Sequence, residues 1–217
     1  MACNTEKISG KTSVTVKNPI DEVLKTLEAG NVIIYPTETL YGMGVDAHNP
    51  KAVEKLFQLK KRALNKPVPV LLPHKKFISR YCNKISPIAA HLMQNFWPGA
   101  LTIVLESDKF STGVSDHGKV GFRVSSHPFT QTLLHKFDRC ITATSANISD
   151  KPTPSDPQEF FRIFPANSFL LVEEKDPSKP TKPSTVIDCT GETYKIIREG
   201  AISEKQIRES LTEAKFL

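Results

Sequence analysis

The apolar positions follow two periods. Ile20, Val23, Leu24 and Leu27 recur three and four residues apart, which buries one face of a helix. Asn18-Pro19 supplies its N-cap and first residue, and Gly30 suits the position just past its end. Val32, Ile33, Ile34 and Tyr35 form an unbroken β-branched and aromatic run, which predicts a buried strand. Pro36 cannot donate a ladder hydrogen bond and should end it. Asn49-Pro50 repeats the helix-start signal, with Val53, Leu56 and Phe57 as the buried stripe and Lys60 beside that stripe at the helix end.

Further on, the pattern predicts strands over 68–72, 100–106, 120–125, 140–144, 169–172, 185–189 and 194–198. Strands 100–106 and 120–125 read as antiparallel neighbours. Helices are predicted over 76–83, from Ser86-Pro87 to a stop at Trp97-Pro98-Gly99, through Phe129 to Phe137, over 156–164, and from 203 behind a Ser-x-x-Gln capping box. Residues 1–16 are polar, with a short strand near 12–16, and 173–183 lacks an apolar anchor and reads as a mobile loop. Helices and strands alternate, yet some strand pairs are joined by turns, so the fold class is α/β with a mixed parallel and antiparallel sheet flanked by helices.

Composition narrows the class. At 217 residues, 39% hydrophobic and 24% charged, the chain suits one domain spanning 1–217, with a core over about 17–202 and a C-terminal helix over 203–213. A formal charge of +6 is compatible with phosphate-bearing partners or with a merely solvated basic surface. Cys3, Cys82, Cys140 and Cys189 form no C-x-x-C pair, which points to a reducing compartment. The N-terminus shows no apolar signal segment and no run approaches membrane-spanning length, so a cytoplasmic protein without membrane association is expected.

Candidate chemistry begins where the first strand ends. Thr37, Glu38 and Thr39 follow Pro36 at once, and Gly42 and Gly44 flank the next positions, permitting positive φ or close backbone approach. This is either a tight turn between two strands or a ligand-facing strand end. Lys60, Arg62 and Lys66 cluster three cations at a helix end, either a solvated terminus or a phosphate clamp. Arg123 interrupts an apolar strand and must meet a carboxylate or a polar cleft. Ser145 and Asn147 are turn formers, or neutral donors for phosphate or ribose. Glu38 reads equally as a structural acceptor or a catalytic carboxylate. The six histidines show no metal-binding spacing.

Taken together, P-T-E-T-L-Y-G-M-G (36–44), K-K-R (60–62), W-P-G-A-L-T (97–102), G-F-R-V (121–124), S-A-N (145–147), S-T-V (184–186) and R-E-G (198–200) resemble, block by block and in order, the YrdC family of threonylcarbamoyl-AMP synthases. The resemblance covers about 20–202. It implies a twisted mixed sheet with a basic concave face, in the single-domain form. It also implies an L-threonylcarbamoyladenylate synthase, which forms threonylcarbamoyl-AMP and pyrophosphate from L-threonine, bicarbonate and ATP for modification of tRNA.

By resemblance, Lys60 and Arg62 are catalytic, and Lys60, Arg62, Lys66, Ser145, Asn147, Thr153 and Arg198 bind ATP. Thr39, Arg123, Ala143 and Ser184 surround threonine. Mg²⁺ accompanies ATP without an evident acidic site, a separate transferase takes the product to tRNA, and the 173–183 loop is a candidate lid. The alternative is a noncatalytic module binding tRNA or double-stranded RNA on the basic face. The chain departs from the family pattern at Ala63, Lys66, Leu71, Ala100, Ser125 and Asp150, which bears on details of the pockets.

Overall fold

The computed structural model describes residues 7–8, 11–12, 19–173 and 182–216. Two short strands, β1 (Lys7–Ile8) and β2 (Lys11–Thr12), pair antiparallel. Asn18 and positions 13–16 lie outside the described residues, as does most of the 173–183 segment.

Helix α1 (Pro19–Glu28) ends at Gly30, which adopts φ +68°, and leads into β3 (Val32–Tyr35). All four β3 residues are buried because both faces are covered. Ile33 and Tyr35 join α1 and α4 (Pro128–Phe137) in one core, while Val32 and Ile34 join the larger core on the other side.

The two-strand reading of the stretch after Pro36 holds, although 42–44 carries no apolar strand run. That segment forms β4 (Gly42–Gly44), antiparallel to β3. Neither glycine has positive φ, so close approach is the reason for both. A Cβ on Gly42 would sit 2.9 Å from the Tyr35 ring, and one on Gly44 would sit 2.7 Å from the Thr142 carbonyl oxygen.

Helix α2 (Pro50–Lys60) is capped by the Asn49 side chain. It ends at Lys61, whose left-handed φ of 50° turns the chain and lets the Arg62 amide donate to the Phe57 carbonyl at 2.9 Å. Only Val70–Leu71 of the expected 68–72 strand pairs, as β5, because Pro67 and Pro69 supply no donor. The expected 76–83 helix is a 3₁₀ segment over Lys75–Arg80. Ser86 caps α3 (Pro87–Phe96), and Trp97–Pro98 is a cis peptide. Strands β6 (Leu101–Glu106) and β7 (Lys119–Arg123) are antiparallel neighbours, as expected.

The expected 140–144 strand divides. Ile141–Thr142 is β8 and Thr144–Ser145 is β9, on opposite sides of Ala143, whose amide donates to the Pro69 carbonyl at 2.7 Å. The expected 156–164 helix is a 3₁₀ turn (Pro157–Glu159) followed by α5 (Phe160–Ile163). Strands β10 (Phe169–Leu171), β11 (Thr185–Asp188) and β12 (Lys195–Arg198) precede α6 (Glu204–Glu213), where the Ser203/Gln206 capping box forms.

The strands lie in the orders β10-β3-β4-β9 and β12-β11-β6-β7-β5-β8, both mixed in direction. The two sheets meet where Asp46 bridges Ile141 and the Thr142 amide donates to the Val45 carbonyl. Helix α3 packs against β6 and α6 packs against α3, and Leu101, Ile103, Leu105, Phe122 and Ile187 of β6, β7 and β11 join them in the larger core. Among the described residues, no helix is long and apolar enough to cross a membrane.

Candidate active site

Side chains of β6, β7 and β11 that point away from the core floor a cleft of about 490 Å³. Strand register aligns its side chains in rows. Val104 of β6 lies opposite Gly121 of β7, and Thr102 lies beside Val186 of β11. Arg123 ends the β7 row. The 36–41 segment between β3 and β4 forms one wall, so this stretch is both a connection between strands and a cleft-facing edge. It is held open by local bonds: Thr37 Oγ1 donates to the Leu40 carbonyl at 2.6 Å, and Thr130 Oγ1 donates to the Pro36 carbonyl at 2.7 Å.

Seven of the residues expected at the site line this cleft: Thr39, Arg62, Arg123, Ala143, Ser145, Ser184 and Arg198. They come from segments spread over 160 positions of sequence. Arg62 donates to the Lys66 and Pro67 carbonyls at 2.7 and 3.1 Å, which stiffens the loop after α2 and aims the guanidinium into the cleft. Arg198 donates to the Ser184 carbonyl at 2.8 Å.

Gly200 makes that pairing possible, since a Cβ there would lie 2.0 Å from the Pro183 carbonyl oxygen. Ser184 Oγ lies 3.0 Å from Thr102 Oγ1. Burial lowers the pKa of both Arg62 and Arg198. Asp150 opposes the shift at Arg62, Arg198 adds to it, and Arg123 adds to that of Arg198. The cleft lining carries Arg62, Lys119, Arg123 and Arg198 against Asp116 and Asp188, an excess of positive charge.

Arg123 is buried and has its carboxylate. Its Nη2 lies 2.7 Å from Glu38 Oε1 and donates to Thr39 Oγ1 at 3.2 Å, while Nε donates to the Gly99 carbonyl at 3.1 Å. Ser125 Oγ donates to Glu38 Oε2 at 2.5 Å. Burial raises the pKa of the Glu38 carboxyl, but Arg123 and Ser125 lower it further, and the net shift is downward.

Four expected residues lie outside the cleft lining. Lys60 is 1% exposed, although its place at the helix end suggested an emerging cation. Its ammonium reaches across to the loop after β9 and donates to the Ser145 carbonyl (2.5 Å), the Asn147 carbonyl (2.8 Å) and Asn147 Oδ1 (3.0 Å). Burial, then Arg62, lowers its pKa to about 7, while three oxygen acceptors favour the charged form.

Asn147 Oδ1 also accepts from Ser145 Oγ at 2.8 Å, so Lys60 and Asn147 shape the S-A-N loop from behind. Lys66 lies on the surface, 3.5 Å from Asp150. Two departures from the family pattern therefore face each other, and Asp150 adopts φ +64° where the pattern favours glycine. Thr153 lies in the following loop.

Sequence reasoning left Ser125 and Thr102 without a role and Glu38 open between a structural acceptor and a catalytic carboxylate. The structure makes Glu38 an acceptor, for Arg123 and Ser125. Cys82, Cys140 and Cys189 are buried free thiols, each with its pKa raised by burial to about 12.

Comparison with known proteins identifies the family and the fold. The Sua5/YciO/YrdC family model, described as telomere recombination, matches residues 25–200. A putative threonylcarbamoyl-AMP synthase of Mycobacterium tuberculosis is 33% identical over 187 residues, covering 85% of each chain. The threonylcarbamoyl-AMP synthase of Vibrio campbellii is 32% identical over 184 residues, covering 83% of this chain and 98% of the relative.

Among solved structures, Pyrococcus abyssi Sua5 complexed with L-threonine superposes with a TM-score of 0.79 at 27% identity, covering 89% of this chain and 57% of that one. The present chain thus spans a little over half of that protein. Escherichia coli YciO superposes with a TM-score of 0.76 at 26% identity, covering 87% and 92%. With a family match over most of its length and relatives above 30% identity across it, the chain belongs to the Sua5/YciO/YrdC family.

Proposed function

We propose that the protein is an L-threonylcarbamoyladenylate synthase acting on L-threonine, bicarbonate and ATP. The observation that carries this reading is the convergence of Arg62, Arg198 and Arg123 on one cleft, with Arg123 alone of the three in close contact with a half-buried carboxylate among the described residues. Two differently charged groups have to be held side by side: the carboxylate of a zwitterionic amino acid and a triphosphate.

Dehydration of bicarbonate supplies carbon dioxide. The threonine nitrogen attacks its carbon, an N–C bond forms, and the amine gives up its proton to yield N-carboxythreonine. A carbamate oxygen then attacks the α-phosphorus. An O–P bond forms, the bond from the α-phosphorus to the bridging oxygen breaks, and pyrophosphate leaves. The carbamate is already anionic, so positioning and charge neutralisation carry the catalysis.

Arg62 and Arg198 hold phosphate oxygens in this reading, with Ser145 on the nucleotide and Thr39, Arg123, Ala143 and Ser184 around threonine. Lys60 and Asn147 contribute by shaping the S-A-N loop, and Lys66 and Thr153 meet the nucleotide at the rim. Mg²⁺ enters with ATP. No group of three or more His, Cys, Asp or Glu side chains suited to a metal occurs among the described residues, so phosphate oxygens and water would be its main ligands. The product goes to a separate transferase that acts on tRNA, in the cytoplasm.

The test is incubation of the purified protein with ATP, Mg²⁺, L-threonine and bicarbonate, reading pyrophosphate and detecting the adenylate by mass spectrometry. Pyrophosphate release that needs both threonine and bicarbonate, and is abolished by Arg62→Ala, is the expected result. No turnover, with RNA binding that falls steeply with salt, would replace the synthase with an RNA-binding module.

A further inference from the structure

We propose that Glu38, held by Ser125, is a positioning residue: it fixes Arg123 for the amino-acid carboxylate and keeps phosphate out of that arm of the cleft. The inference rests on the synthase reading and assigns how one cleft sorts two anions.

The three cleft arginines are not equivalent. Arg62 and Arg198 are steadied by neutral backbone carbonyls, so each keeps its full charge for a ligand. The Asp150 carboxylate that attracts Arg62 is largely exposed and screened by water. Arg123 instead has the half-buried Glu38 carboxylate at 2.7 Å. An arginine already paired with a carboxylate offers a directed donor with little net charge. A monoanionic carboxylate on a zwitterion is tolerated there, whereas a multiply charged phosphate is repelled by Glu38.

Two further observations separate positioning from acid–base work. Thr37 and Thr39 line the cleft, while both oxygens of the Glu38 carboxylate are engaged, Oε1 by Arg123 and Oε2 by Ser125. Its affinity for a proton is also lowered rather than raised, which suits an ion-pair partner and not a base. Ser125 fixes its orientation. The His127 amide donates to Ser125 Oγ at 3.2 Å, which leaves the hydroxyl hydrogen for Glu38 Oε2. Arg123 is thereby held by Glu38, the Gly99 carbonyl and Thr39.

The experiment uses Glu38→Gln, which keeps the shape and removes the charge, and Ser125→Ala, which removes one hydrogen bond. In Glu38→Gln the KM for threonine should rise at least about tenfold, while the KM for ATP stays within about twofold. Pyrophosphate, competing only with ATP in the unaltered enzyme, should now also compete with threonine. Ser125→Ala should move the threonine KM the same way by a smaller factor, without the change in pyrophosphate inhibition.

An unchanged threonine KM and inhibition pattern in Glu38→Gln would overturn the assignment. So would equal losses for both substrates in both variants, which would make Glu38 a prop of the fold alone. If the unaltered protein releases no threonine-dependent pyrophosphate, the synthase reading itself falls, and this inference with it.

Discussion

At Lys60 a single ammonium ties two halves of the site together. It is 1% exposed and donates to three oxygens of the S-A-N loop, 85 and 87 positions away in sequence. Replacing it by methionine fills most of the volume but leaves those acceptors without their donor. A buried orphaned acceptor costs about 1–3 kcal/mol, so Lys60→Met should lower stability by at least about 2 kcal/mol. The loop would also lose the bond that sets Asn147 and the Ser145 carbonyl, so the KM for ATP should rise along with the loss of stability. Denaturant unfolding and initial rates on one preparation check both. A variant as stable as the parent would mean that the ammonium is dispensable as a strut.

Between elements, the seam of the two sheets depends on Asp46. It is 4% exposed, lies just past β4, and its backbone bridges Ile141 of β8. Arg139 Nη1 lies 2.5 Å from Oδ2, and the His48 amide donates to Oδ1 at 3.0 Å. Burial raises the pKa of its carboxyl, but His48 and Arg139 lower it further, to a net position below 3.8. The sign follows from proton binding. The unfolded chain takes up this proton at higher pH than the folded one, so the carboxylate stabilises the fold above 3.8 and that contribution disappears as pH falls through the lower folded value. Because Arg139 is partly solvated, Asp46→Asn should cost only about 1–3 kcal/mol at neutral pH. The two proteins should converge in urea midpoint as the pH is taken well below 3.8. A difference that persists there would assign the loss to packing instead.

The same seam shows why some elements were legible in sequence and others were not. Helices α2, α3 and α6 announce themselves through Asn49, Ser86 and the Ser203/Gln206 box, because a cap is a local bond between near neighbours. Gly-Met-Gly carries no apolar strand run, since Gly42 and Gly44 leave room for the Tyr35 ring and the Thr142 carbonyl instead of burying side chains. Residues 140–144 have strand composition throughout, but nothing local says that the chain changes sheets at Ala143. The same limit applies at the site. Sequence indicated that Arg123 needs a carboxylate, but the 85 positions separating it from Glu38 hide the pairing. Lys66 and Asp150 looked like unrelated departures until their loops were brought face to face.

At the scale of the molecule, a net charge of +6 and three guanidinium groups in one cleft make ionic strength a probe of which anion goes where. A triphosphate with several charges gains long-range attraction from Arg62 and Arg198, and that attraction is screened over about 10 Å at 0.1 M salt and about 3 Å at 1 M. The amino acid is a zwitterion with no net charge, and the arginine assigned to it is already paired with Glu38. Its affinity should therefore depend on short contacts that salt hardly touches. Raising monovalent salt from about 0.05 to about 0.5 M should increase the KM for ATP several-fold and leave that for threonine within about twofold. Steady-state kinetics at saturating partner substrate measures each separately. If threonine proved the more salt-sensitive of the two, the assignment of Arg62 and Arg198 to phosphate and Arg123 to carboxylate would have to be reversed. If both KM values were flat, the positive charge in the cleft would not be what holds the triphosphate.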